Sequence, residues 1–197
     1  MSLSARQFLP SCHVAATGIS SCECLGDGTI VRMVRVRRAE DVTVIAKPGH
    51  SITGPVAVEG CGVPLRPCTF ELRYPGANMP VGTWHIACDS EGRYELPDIP
   101  QRKWDVTAKV PGYLRGIVAG VVVDSYSAED ADFFLLGGDL DGDNCAGQRD
   151  FDMMKQSWFA KVGDPNWNEL ADPNCDGTVN AGDCAILVKN WGKCGAP

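Results

Sequence analysis

The sequence repeats itself once, at a fixed offset of 33 residues. Asp139-Leu-Asp-Gly-Asp-Asn-Cys-Ala-Gly-Gln-Arg-Asp150 matches Asp172-Pro-Asn-Cys-Asp-Gly-Thr-Val-Asn-Ala-Gly-Asp183. The register continues beyond the acidic stretch, because Phe151, Met154 and Trp158 align with Cys184, Leu187 and Trp191. Positions i, i+3 and i+7 share one face of a helix. Each copy is therefore expected to be a twelve-residue acidic loop feeding an amphipathic helix, and the two copies must adopt one supersecondary design.

The loop spacing has a chemical reason. Oxygens at positions 1, 3 and 5, a backbone carbonyl at 7 and a carboxylate at 12 wrap a hard cation. The expected ligands are Asp139, Asp141, Asp143, the carbonyl of Cys145, and Asp150 in the first loop. In the second they are Asp172, Asn174, Asp176, the carbonyl of Thr178, and Asp183. Position 6 must turn sharply and is Asn144 or Gly177, residues that tolerate a left-handed backbone. Ca²⁺ is the expected ion, two per chain; Mg²⁺ suits such a loop less because it prefers near-octahedral sites that keep several waters.

Charge supports a local reading. The 197 residues hold 25 Asp plus Glu and 18 Lys plus Arg, a net charge of -7, which is the wrong sign for a nucleic-acid binder. From Gly137 onward there are 10 acidic and 5 basic residues, so this third carries -5 of the total. Two bound Ca²⁺ would bring the formal charge to about -3.

Ten cysteines accompany 22 Gly and 13 Pro, which favours a disulfide-containing extracellular or cell-surface protein. Zinc is the weaker alternative, since Cys22-x-Cys24 and Cys61-x₆-Cys68 do not have the spacing of structural zinc pairs. Cys12, Cys22, Cys24, Cys61, Cys68 and Cys88 precede the repeat; Cys145, Cys175, Cys184 and Cys194 lie within it. All ten are disulfide candidates, with pairs expected to stay within each part. Met1 to Ser20 shows no sustained apolar core of a leader, and no stretch approaches the length of a membrane helix. Extracellular placement thus rests on the cysteines and the calcium loops.

Between Thr29 and Leu136 the pattern changes to short alternating runs broken by Gly and Pro. Cys68, Phe70 and Leu72 share one strand face, as do Trp104, Val106, Ala108 and Val110. Further strands are expected at 30–37, 42–47, 55–59, 83–88, 93–96, 116–123 and 132–136. Such spacing without long helices predicts an antiparallel β-sandwich. The expected organisation is an arm over 1–28 pinned by disulfides, a sandwich over 29–136 and a calcium-binding module over 137–197.

Two resemblances follow from these residues. Paired loops with Asp at position 12, each followed by one helix, resemble the F-hand repeats of a type I dockerin over residues 137 to about 194. That resemblance implies a dockerin fold with a short middle helix in Asp164-Pro-Asn-Trp-Asn-Glu-Leu-Ala171, and calcium-dependent docking to a cohesin. Its recognition positions, 10 and 11 of each loop, are here Gln148-Arg149 and Ala181-Gly182. Because the two pairs differ, a single docking orientation is expected, and the partner could be a cohesin-like module or further copies of the chain. The run Asp89-Ser-Glu-Gly-Arg-Tyr-Glu-Leu-Pro-Asp-Ile-Pro100, with Trp104-Asp-Val and Pro111-Gly-Tyr-Leu-Arg115, resembles transthyretin-like carboxypeptidase-regulatory domains. It implies an Ig/transthyretin-like sandwich with Glu91-Gly92 as a hairpin turn and Tyr94 and Leu96 in the core.

The sequence carries no G-x-S-x-G, H-E-x-x-H or P-loop pattern, so no catalytic residue is assigned and a non-catalytic assembly protein is expected. A carbohydrate-binding module on a cohesin scaffold is the alternative, to be recognised by an exposed coplanar row among Trp84, Trp104, Tyr74, Tyr94 and Tyr113.

Overall fold

Alternation of apolar and polar residues decides which strands form and which side of each is buried. The computed structural model describes residues 13–16, 18–24, 30–36, 42–45, 50–124 and 131–197. Its first four strands are β1 (His13–Ala16), β2 (Gly18–Cys24), β3 (Ile30–Val36) and β4 (Val42–Ile45). β1 pairs with β4 and β2 with β3, both antiparallel. The strands expected near 30 and 42 therefore pair with the N-terminal stretch rather than with the later sheets. The expected pinning of the arm by Cys12, Cys22 and Cys24 falls outside the described residues and side chains.

The sandwich uses β5 (His50–Val58), β6 (Cys68–Arg73), β7 (Pro80–Ile86), β8 (Arg93–Ile99), β9 (Arg102–Lys109), β10 (Gly112–Tyr113), β11 (Gly116–Val123) and β12 (Phe133–Leu135). One sheet has the order β11-β9-β6-β7 and the facing one β12-β5-β8. The alternating faces expected from the sequence meet between them. Cys68, Phe70 and Leu72 pack with Trp104, Val106, Ala108, Tyr94, Leu96 and Phe133 in one core. Phe70 stacks on Tyr94 with ring centroids 4.2 Å apart.

Two details depart from expectation. β12 runs parallel to β5, so the sandwich is not wholly antiparallel. The Glu91-Gly92 turn is not a hairpin, because β7 and β8 belong to different sheets. It is a crossover corner: Asp89 accepts the N–H of Glu91 (2.9 Å) and Arg93 (2.8 Å), and Gly92 has φ +78°.

Beyond the sandwich come β13 (Gly137–Asp139), α1 (Gln148–Gln156) and α2 (Ala181–Asn190). The molecule is mostly β-sandwich with few helices. The middle helix expected in 164–171 is a single 3-10 turn, Glu169–Ala171, capped by Asn168, whose side chain accepts the N–H of Leu170. Pro165 lies ahead of that turn rather than in it. β13 pairs with β10, which joins the repeat directly to the sandwich.

Candidate functional site

Both copies of the repeat build the same backbone. Gly142 and Cys175, at position 4, have φ +83° and +58°; Asn144 and Gly177, at position 6, have φ +69° and +81°. This left-handed pair curls each loop so that side-chain oxygens and N–H groups point inward. Asp143 N–H donates to Asp141 Oδ1 (3.0 Å) and Asp176 N–H to Asn174 Oδ1 (2.9 Å). Cys145 N–H donates to Asp143 Oδ1 and Thr178 N–H to Asp176 Oδ1, each at 2.8 Å.

The last carboxylate of each loop doubles as a helix cap. Gly147 N–H donates to Asp150 Oδ2 at 2.7 Å, and Asn180 N–H to Asp183 Oδ2 at 2.8 Å. An acidic group in a helix's first turn also suits its dipole.

An internal two-fold relation links the copies. Ala146 exchanges backbone hydrogen bonds with Lys193 (2.9 Å) and Gly192 (2.8 Å) beyond α2. Val179 does the same with Ala160 (3.0 Å) and Phe159 (2.9 Å) beyond α1. These pairs are related by the same 33-residue offset. Met154 and Leu187, equivalent on the two helices, are fully buried at the centre with Ala146 and Val179. Phe151, Trp158 and Cys184 pack around them, whereas Trp191 is partly exposed.

Carboxylate oxygens converge in each loop. Asp139, Asp141 and Asp143 form one group and Asp172, Asp176 and Asp183 the other, their oxygens within 4.8 Å of one another. Asp150 stands outside the first group; both its oxygens accept backbone N–H groups, from Leu140, Asp141 and Gly147. Burial pushes Asp183 up to about 6, and Asp172 and Asp176 add to the shift, while backbone N–H groups oppose it. Such hard-oxygen donor sets suit a divalent cation of calcium's size. The expected docking residues Gln148 and Arg149 open α1, Ala181 and Gly182 open α2, and all four are exposed.

The sandwich holds this pair in place. Gly60 has φ +89°, and a Cβ there would lie 2.6 Å from the Pro173 carbonyl, so the chains approach where only glycine fits. Next to it, Glu59 is buried and accepts Lys189 Nζ (2.6 Å), Asn190 Nδ2 (2.5 Å) and Gly137 N–H (3.3 Å). Burial alone would raise its carboxyl, but these donors outweigh burial and hold it below the usual value. Tyr113 donates to the Pro173 carbonyl at 3.1 Å, and burial pushes its hydroxyl up to about 12. Arg66 hydrogen-bonds the carbonyl of Glu169. At the C-terminus, Asn144 accepts Arg115 N–H (2.7 Å) and donates to Ala196 O (2.8 Å).

Disulfides correct the expected pairing. Cys145 and Cys194 bond within the repeat, but Cys61 and Cys175 bond across from the sandwich to the second loop. That bridge anchors Cys175, a non-glycine residue at positive φ. Cys68, Cys88 and Cys184 are free thiols, so those three candidates are not paired; Cys68 and Cys88 Sγ nevertheless lie 3.4 Å apart. Sequence reasoning did not find Glu59, the cross-bridge, or Lys109, whose ammonium meets Asp139.

The fold is thus a β-sandwich carrying a two-fold-related pair of acidic loop–helix units. No family model matches the chain. It is 25% identical over 190 residues to cellulosomal-scaffolding protein B of Acetivibrio thermocellus, covering 90% of this chain and 24% of that protein. Cellulosomal-scaffolding protein A of Acetivibrio thermocellus is likewise 25% identical over 190 residues, with 10% of it covered. The chain therefore spans only about a quarter and a tenth of the length of these relatives.

Two solved structures share the fold. They are N-terminal and C-terminal interface mutants of a type II cohesin–X–dockerin complex from Acetivibrio cellulolyticus. TM-scores are 0.59 and 0.58 at 19% and 20% identity, with 74% of this chain and 97% of the matched chain covered in each. Among the described residues, no helix is long and apolar enough to cross a membrane.

Proposed function

We propose that this chain is a non-catalytic assembly segment at the cell surface or outside the cell, docking through its calcium-loaded loop–helix pair to a cohesin-like partner. The observation that carries this reading is the repeated geometry: two oxygen clusters, each at the start of a helix whose first residues are exposed. Asp139, Asp141, Asp143 and Asp150, with the carbonyl of Cys145, would hold one ion. Asp172, Asn174, Asp176 and Asp183, with the carbonyl of Thr178, would hold the other. The ions would neutralise the crowded carboxylates and stiffen the turns from which α1 and α2 start.

The similarities support an assembly role. The relatives are named as cellulosomal scaffolding proteins, and the fold matches come from cohesin–X–dockerin complexes. Gln148-Arg149 against Ala181-Gly182 makes the two-fold inexact at the surface and favours one docking orientation.

A second reading places the docking face on the sandwich itself, as in a cohesin-like module. Exposed Phe134 on edge strand β12 favours it. The carbohydrate alternative lacks its expected feature: Trp104, Tyr94 and Tyr113 are buried, and Tyr74 stacks on Trp104 at 5.4 Å.

Hydrogen–deuterium exchange of the full chain with a type II cohesin, in calcium, separates the readings. Protection centred on 148–149 and 181–182 is expected. Protection centred on β12, or protection only between copies of this chain, contradicts cohesin docking through the repeat.

A further inference from the structure

Three cysteines among the described residues are free, and two of them touch. Cys68, the first residue of β6, is fully buried in the sandwich core. Cys88 lies two residues past the end of β7, packs against the same core and is only partly buried. Their Sγ atoms are 3.4 Å apart. The β6–β7 ladder ends where Cys68 stands opposite Ile86, so Cys88 lies outside it. A disulfide places its sulfurs about 2.05 Å apart, so closure needs about 1.4 Å of movement at a point where the ladder no longer holds the chain. The third free thiol, Cys184, belongs to the core of the repeat.

The two thiols are not equivalent. Cys68 donates its S–H to Cys88, which holds the Cys88 thiol below its usual value against the opposing effects of burial and of Asp89. The same contact, with burial, pushes Cys68 up. The thiolate is the attacking form of a cysteine, and here it falls on the sulfur that solvent can reach. Position adds a consequence. Cys88 directly precedes Asp89, which accepts Glu91 N–H and Arg93 N–H at the corner leading into β8. Because β6 and β8 lie in facing sheets, a bond between Cys68 and Cys88 would tie β6 to the entrance of the opposite layer.

We propose that Cys68 and Cys88 form a dithiol modification site, in which Cys88 reacts with a low-molecular-weight disulfide and Cys68 resolves the adduct into a bridge that braces the sandwich. In the first step the Cys88 thiolate attacks one sulfur of the small disulfide. That S–S bond breaks, and the departing thiolate takes up the proton that Cys88 gave to solvent. In the second step Cys68 loses its proton and its Sγ attacks Cys88 Sγ. The mixed disulfide breaks, and the second small thiolate leaves and is protonated. The protein loses two hydrogens and two electrons, and the small disulfide is reduced to two thiols.

The test uses the full chain with its two bridges intact, incubated with oxidised glutathione, quenched with iodoacetamide and mapped by peptide mass. In the unaltered chain Cys68 should end joined to Cys88. Cys68→Ala should keep one stable glutathione adduct on Cys88, because nothing then resolves it. Cys88→Ala should leave Cys68 without an adduct. The closed form should melt about 6–13 °C above the dithiol, as the closing of a loop of this length predicts. Two thiols that stay alkylatable in the unaltered chain overturn the proposal, as does Cys88 joined to Cys12, Cys22 or Cys24. An adduct that forms faster on Cys68 in Cys88→Ala than on Cys88 in Cys68→Ala overturns the assigned roles, and a closed form that melts no higher overturns the brace. Should Cys68→Ala fail to fold, a time course of the unaltered chain decides: a transient adduct on Cys88 supports the roles, and one on Cys68 overturns them.

Discussion

Removing Glu59 isolates one of the contacts that join the sandwich to the repeat. The carboxylate is buried, and it satisfies Gly137 N–H and one side-chain donor of Asn190, a residue fully buried in α2. In Glu59→Ala, Asn190 keeps its bond to Gly137 O at 2.9 Å but loses the Glu59 acceptor, and Gly137 N–H loses its partner. Each unsatisfied buried donor costs about 1–3 kcal/mol. Lys189 is mostly exposed, so its ion pair adds less than about 1 kcal/mol. The sum is a loss of roughly 2–7 kcal/mol, or about 4–28 °C in Tm for a chain of this size.

Urea unfolding at neutral pH with disulfides intact measures it. Glu59→Gln, which keeps an acceptor, should lose about half as much. A Glu59→Ala variant within about 0.5 kcal/mol of the wild type would refute the reasoning, because no buried donor could then have depended on that carboxylate.

Further outcomes follow from other contacts. Because Glu59 is held below its usual value of 4.5, its contribution is complete above that pH and disappears as pH falls through the lower folded value; the stability gap between wild type and Glu59→Gln should therefore shrink in acid. Leu187→Ala, at a fully buried position between the two units, should cost about 2–5 kcal/mol in the same unfolding assay. The double variant Cys61→Ser/Cys175→Ser opens a bridge spanning 114 residues and should lose about 2–5 kcal/mol, with weaker calcium binding at the second loop. Cys68 and Cys88, 3.4 Å apart, should lose two hydrogens by mass when an oxidised small-molecule disulfide is supplied, and Cys184 should remain alkylatable.

The sequence revealed whatever depends on local periodicity. The stretches at 68–73 and 116–123 are strands with the expected boundaries, and the faces of Phe70 and Trp104 are buried, because alternation directly reports which side of a strand meets the core. The loop repeat was legible because position-specific chemistry recurs: Asn144 and Gly177 are both left-handed, as position 6 requires. Contacts between distant segments were not legible. Cys61 and Cys175 pair across the two parts because Gly60 lets the chain approach Pro173, and no spacing rule records that approach. Lys109 ends an ordinary alternating strand, where a lysine reads as a solvated edge; only the pairing of β10, which follows β9, with β13 brings Asp139 to it. The parallel pairing of β12 with β5 depends on the course of the chain between sheets rather than on its strand pattern.

Calorimetric binding of the full chain to a type II cohesin, in calcium and again after chelation, tests docking through the loop–helix pair most directly. Binding in calcium that is lost with chelator and weakened at least tenfold by Arg149→Ala is the predicted result. Binding that survives chelation, or that ignores Arg149 and yields to substitution of Phe134, would contradict it.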